Sequence, residues 1–352
     1  MIRNGNIWDG CNFFAADVFI REGKVHRIGK NIKENADFTY DAVGKIVSPG
    51  LVDLHAHIKG FSPEEFATCA EMACFPFGVT AINDAGSVSG NKETSDKLFV
   101  KNTIFLRVEI KDNHVDYKHI EERLEHYGDK AIGLKLYMDT YISEVSDITP
   151  LKECCEYARM KKLKVMVHCS NSPVPMREIV EILSEGDILT HAYHGGIHSC
   201  VEDDFCCLQL AKERGVVIDA GFAGHIHTNF RYLEQAIQLG YGPEVIGTDI
   251  TQRSIYQRGG RYGMTMCMSM ARRAGMKEED IWKAVTMNPA HALGKGDQWG
   301  TLKEGRCADI TVIDPLGKDG FRLLNGAGNC LEDDHGYRCV LTISDGQVVY
   351  RD

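Results

Sequence analysis

The sequence predicts an α/β fold, a (β/α)8 TIM-type barrel with a small β-sandwich domain built from both termini. Three observations carry that prediction. Eight short apolar segments rich in β-branched residues run through the middle of the 352-residue chain, each ending near a polar residue or glycine, and most lead into a helical pattern. Both ends of the chain read instead as short alternating strands. A doubly wound sheet, the structural alternative, needs fewer parallel strands and a glycine loop at its switch point, and no GxGxxG follows an early strand.

In chain order, residues 1 to 47 contain ADVFIREGKVHRIG, where EGK marks a hairpin turn. The eight barrel segments follow as VDLHAH, VTAINDAG, IFLRVEI, IGLKLY, KVMVHC, DILTHAY, VVIDAG and VIGTD. Between them, SPEEFATCAEMACFPFG and VEDDFCCLQLAKERG show helical spacing, with Ser62 or a nearby acidic residue at the start and glycine at the stop. Residues 300 to 352 supply GTLKEGRCADITVIDP and then RCVLTISDGQVVYRD, which turns at SDGQ. The expected organisation is a small β domain of residues 1–47 plus 300–352, and a barrel over residues 48–299.

Composition removes several function classes. With 43% apolar and 26% charged residues the chain has the make-up of a soluble globular protein with a sizeable core. A net charge of -10 without a clustered basic face argues against nucleic acid or an anionic membrane as partner. The first residues, MIRNGNIWDG, lack the apolar stretch of a signal peptide, and no run of about 18 apolar residues occurs, so a cytoplasmic location is expected. The thirteen cysteines are odd in number, irregularly spaced and without a CxxC pair, as reduced and mostly buried thiols would be. A homo-oligomer is expected on general grounds, with no interface signature that names its symmetry.

Barrels of this kind do their chemistry at the carboxyl ends of the strands. The polar residues there are His55, His57, Lys135, His168, His191 and Asp249. Alternation along a strand puts His55 and His57 on one side and Ala56 on the other, so the two imidazoles can converge on one ion. By the same rule Gly133, Lys135 and Tyr137 face the interior while Leu134 and Leu136 face the helices. An ammonium buried there beside two dications is costly. Reaction with CO2 would turn it into a carbamate, an anion with two oxygens able to bridge two metals. A Schiff-base nucleophile and a structural ion-pair member are the other uses of such a lysine. Four imidazole nitrogens with oxygen from Asp249 and a carbamate suit Zn2+, with Mn2+ or Fe2+ as alternatives. The expected cofactors are two divalent metal ions and a CO2-derived carbamate on Lys135.

The order HxH, Lys, His, His, Asp, each at a strand end, resembles the amidohydrolase superfamily of binuclear metal hydrolases. IVSPGLVDLHAH, MNPAHALG and GTLKEGRCADITVID are similar to its imidase, dihydroorotase and deacetylase branch, and GVTAINDAGS, VMVHCSNSP, GDILTHAYHG and GTDIT to a dihydroorotase-like deacetylase group within it. The likeness covers essentially the whole chain, and all six ligand positions are filled. It implies that His55 and His57 bind the more buried metal, that Lys135 is the bridging carbamate, and that His168 and His191 bind the second metal. It also implies that Asp249 touches the first metal and acts as general base, taking a proton from the attacking water and giving it to the leaving group.

Further residues are candidates for holding substrate. His225, in the second HxH of GFAGHIHTNF, is read as a pocket residue, and His227 as structural. His194 is a pocket candidate and His198 a solvated loop residue. Tyr137, inward and two residues past Lys135, offers a phenol to a carbonyl or carboxylate, with core packing as its other use. Asn171 and either Arg253 or Arg258 are placed to grip an anion. Cys169 is read as packed against a helix.

The expected function is metal-dependent hydrolysis of an amide or acyl bond in a small, carboxylate-bearing molecule, such as an N-acyl amino acid or derivative, through a metal-activated hydroxide. Cyclic amide hydrolysis of the dihydroorotase or hydantoinase kind is the runner-up, and lactone or ester hydrolysis stands third. A non-catalytic scaffold would be expected to lose ligands, and this chain keeps all six.

Overall fold

The computed structural model describes residues 1–59, 67–87, 95–223, 227–257, 262–317, 320–324 and 330–352. Its centre is a parallel sheet of seven strands: Leu51–Ala56, Val79–Ser87, Lys101–Arg107, Ala131–Tyr137, Lys164–His168, Ile188–Thr190 and Val217–Asp219. They pair strictly in chain order, each with the next. Near-continuous apolar runs suit strands that are covered on both faces, and Leu51–Ala56 is buried at every position. The last two strands are only three residues long.

The eighth predicted segment, VIGTD, differs from expectation. Among the described residues it forms no regular strand, yet it touches both edges of the sheet through isolated bridges, Asp219 to Val245 and Ala56 to Ile250. Its backbone makes further bonds to each side: Phe222 and Ala223 N–H donate to Gly247 and Thr248 O, and Asp249 N–H donates to His55 O. The physical reason is local. Asp249 sits in the left-handed region at φ 49°, which an extended ladder cannot accommodate.

Helices lie between the strands, and their ends are written in the sequence. Asp116 caps Tyr117–Tyr127 by accepting from His119 N–H, and Asn229 caps Phe230–Gln238 by accepting from Arg231 N–H. VEDDFCCLQLAKERG yields Cys206–Glu213, and MNPAHALG yields Met287–Ala292. The helix described within SPEEFATCAEMACFPFG is Ala70–Cys74, and Ser62 lies outside the described residues.

Strands from both termini join into one mostly antiparallel sheet of eight, with Ile310–Gly317 beside Ile46–Pro49 at the junction of the two ends. The two predicted turns are there. Glu22-Gly23 and Asp345-Gly346 each place two successive residues at positive φ, the pattern of a tight two-residue hairpin loop. A Cβ on Gly346 would come within 2.5 Å of Gly23 Cα, so the two hairpin tips pack glycine against glycine.

One buried acid ties the first strand to the segment bearing Asp249. Asp53, 2% exposed, accepts from Thr248 Oγ1 at 2.6 Å, from Thr248 N–H and from His55 N–H. Burial pushes its carboxyl up to about 7. The folded carboxyl therefore holds its proton more tightly than the unfolded one, whose pKa is about 3.9. Stability from protonated Asp53 is full below about pH 4 and is lost as pH rises through about 7, by at most roughly 4 kcal/mol. Urea midpoints at pH 5.5 and 8 should differ more in the native chain than in Asp53→Asn. Equal differences would show that Asp53 does not titrate in this range.

Candidate metal centre

Five of the six strand-end residues meet directly. His57 Nε2 lies 3.0 Å and His55 Nε2 3.4 Å from the same oxygen of Asp249, and His191 Nε2 lies 3.9 Å from its other oxygen. Lys135 Nζ is 3.4 Å from His55 Nε2, and the His168 and His191 rings are 4.4 Å apart. The side chains of His55, His57 and Asp249 form one group able to hold a metal ion, and those of His168, His191 and His227 form a second.

Outer partners decide which nitrogen of each imidazole faces inward. His55 Nδ1 is 3.0 Å from Asp219 Oδ2 and 2.9 Å from Thr190 Oγ1, so Nδ1 carries the hydrogen and Nε2 keeps its lone pair toward Asp249. His191 Nδ1 donates to Gly221 O at 2.8 Å, which leaves Nε2 in the same role. His168 is turned the other way: Nε2 is 3.1 Å from Asp139 Oδ2, and Nδ1 is the lone-pair nitrogen. Asp219 is itself fixed by Gly247 N–H, Gly221 N–H and Thr190 Oγ1. Replacing Asp219 with Asn should therefore lower metal affinity by about 10–100-fold while the fold persists, as read by titration against a chelating indicator. Unchanged affinity would mean that His55 is oriented without Asp219.

Electrostatics favour neutral imidazoles and an ionised acid. Burial lowers the pKa of His55 and His191 and takes His168 down to about 3. Burial opposes ionisation of Asp249, but the imidazoles of His55, His57 and His227 outweigh it and hold the carboxyl well below the usual carboxylate range.

Lys135 is fully buried, and among the described residues no carboxylate pairs with it. Its neighbours are His55 Nε2 and the Met166 sulfur at 3.3 Å, a poor shell for an ammonium. Burial pulls its pKa down to about 8, against the opposing pull of Asp249 and Asp219. The strand needs a glycine opposite: a Cβ on Gly86, at φ +104°, would lie 2.7 Å from Lys135 Cγ and 2.9 Å from the Tyr137 hydroxyl.

The other candidates distribute as follows. Tyr137 is buried at the site, its ring 5.4 Å from that of His168 and its hydroxyl donating to Ala85 O. Asn171 donates from Nδ2 to Asp139 Oδ2 at 3.2 Å. His194 is buried, with Nδ1 accepting from Gly196 N–H, and burial lowers its pKa to about 4. Arg253 is exposed, and His198 pairs with Glu202 in the loop. Cys169 is buried and donates to Thr190 O. His225 and Arg258 lie outside the described residues.

Sequence reasoning missed Asp139, Asp219 and His227. Asp219 ends VVID as His168 ends KVMVH, and Asp139 continues the inward alternation of Lys135 and Tyr137. Those positions were the available signal. For His227, beyond the strand, the signal was the second HxH.

Comparison with known proteins finds relatives over most of the chain. A deacetylase of Agrobacterium fabrum is 29% identical, over 88% of this chain and 81% of its own length. A deacetylase of Enterococcus faecalis is 27% identical over 89% of each. A dihydroorotase crystal structure superposes with a TM-score of 0.87 at 25% identity, covering 100% of this chain and 99% of the other. A model of the Amidohydrolase family matches residues 46–349, and the chain belongs to that family.

Proposed function

We propose that this amidohydrolase removes the acyl group from a small carboxylate-bearing N-acyl compound, an N-acyl amino acid or a derivative of one, and that it works with two divalent ions, Zn2+ foremost. The observation that carries the reading is the meeting of His55, His57 and His191 around Asp249, with His168 against His191 and a buried Lys135 that pairs with no carboxylate among the described residues. Dihydroorotase-type ring opening is the second reading, favoured by the superposed dihydroorotase structure.

The donor set fits such ions. His55, His57 and Asp249 would hold one, and His168 and His191 the other, with Lys135 between them as a carbamate. The lowered pKa of Lys135 supports this, because the neutral amine is the form that reacts with CO2. When bound, the ions supply Lewis acidity toward the amide carbonyl and make a water acidic enough to attack near neutral pH.

The chain's own groups do the rest. Asp249, ionised across the working pH range, accepts a proton from the attacking water and passes it to the leaving nitrogen as the C–N bond breaks. His194 has its Nδ1 occupied by Gly196 N–H, so Nε2 is a donor, and it has no partner among the described residues. It is suited to a substrate carboxylate. Tyr137 would donate to a substrate carbonyl oxygen only on releasing its bond to Ala85 O, and Asn171 acts through Asp139. We also read the seven strands and residues 245–250 as a complete (β/α)8 barrel, on the bridges at both edges, with residues 1–47 and 300–352 as its companion domain.

The experiment is metal content by plasma mass spectrometry on protein purified without chelator, joined to turnover of N-acetyl amino acids and cyclic imides. About two equivalents of metal with N-acetyl turnover is the expected result. Turnover of cyclic imides alone would favour the second reading. One equivalent or none after reconstitution with Zn2+ and bicarbonate would defeat the binuclear assignment.

A further inference from the structure

We infer that His227 is a third imidazole ligand beside His168 and His191, so that the second metal position is a three-histidine site. The inference rests on the metal-dependent reading above and adds a ligand to it. One potential ligand atom from each of the three residues lies within 4.8 Å of the other two. The His227 ring centroid is 4.2 Å from that of His191 and 5.0 Å from that of His168. Three nitrogens on one tetrahedral Zn2+, at about 2.0–2.1 Å each, stand about 3.4 Å apart. The triad therefore needs to contract by little more than about an ångström, which side-chain rotation supplies.

Ser170 makes the tautomers compatible. Its hydroxyl oxygen is 2.5 Å from His168 Nε2 and 3.2 Å from His227 Nδ1. A hydroxyl has two lone pairs and can accept from both rings. With both hydrogens on that side, His168 Nδ1 and His227 Nε2 are the lone-pair nitrogens. Ser170 thus does for His227 what Gly221 O does for His191.

The two metal positions then differ in kind. One has two imidazoles and a carboxylate, the other three imidazoles, and the nitrogen-rich position should favour Zn2+, Co2+ or Ni2+ over Mn2+ more strongly. It should also fill first and empty last when ions are limiting.

The test uses the full chain, stripped with chelator and titrated with Zn2+ against a chromogenic competitor. Native protein should bind two ions, and His227→Asn should bind one of them at least about ten-fold more weakly. Native protein that binds two ions, with both affinities unchanged in His227→Asn, overturns the inference and leaves the metal-dependent reading standing. Native protein that binds no ion overturns both. Should His227→Asn fail to fold, His227→Cys loaded with Co2+ serves instead. A thiolate-to-cobalt charge-transfer band absent from native protein supports ligation, and a spectrum identical to native excludes it.

Discussion

Replacing Lys135 with alanine is expected to abolish measurable turnover and reduce bound metal from about two equivalents to one or fewer. Loss of a residue that merely orients a ligand costs about 10–100-fold in metal affinity, and loss of a bridging ligand should exceed that. The geometry makes the cause specific. Lys135 has no carboxylate partner among the described residues, so its removal breaks no ion pair, and Gly86 and Met166 border the space that it vacates. Acetate, propionate or bicarbonate added to Lys135→Ala should restore part of both metal and activity by placing oxygen donors in that space. A variant that binds two ions and turns over normally would show that the lysine is no bridge.

Asp249→Asn should cut kcat by about 10²–10⁴-fold, the range that a positioned proton acceptor contributes. The amide cannot take a proton at neutral pH, but it keeps an oxygen for ligation, so much of the metal should stay. The backbone holding this residue, with its N–H on His55 O at 2.7 Å, is untouched by the change. Metal analysis and stopped-assay kinetics on one preparation separate the two effects. Undiminished kcat would remove Asp249 as the base.

The six strand-end residues were legible because alternation and strand polarity are local rules: once VDLHAH and IGLKLY are strands, the direction of His55 and Lys135 follows. Hairpin turns were legible for a similar reason, since EGK and SDGQ carry residues that tolerate positive φ. Residues whose role depends on a distant partner were not. Asp219 matters because it meets His55, 164 residues away, and Asp139 because it meets His168 and Asn171, 29 and 32 residues away. His227 was read as structural because the resembled branch places no metal ligand after that strand, and only the fold brings its ring against His191. The eighth strand was overestimated: VIGTD has the composition of a strand, but the left-handed turn at Asp249 belongs to the site rather than to the ladder.

That turn joins assembly to competence. Residues 245–250 bond through their backbone to both the first and the last strand of the parallel sheet, and the proposed base is one of them. A chain whose sheet edges have not met therefore presents no Asp249 to His55 and His57. Half-built protein, emerging from synthesis or recovering from heat, would be unable to act on whatever acyl compounds surround it, because the piece that finishes the scaffold is the piece that arms it.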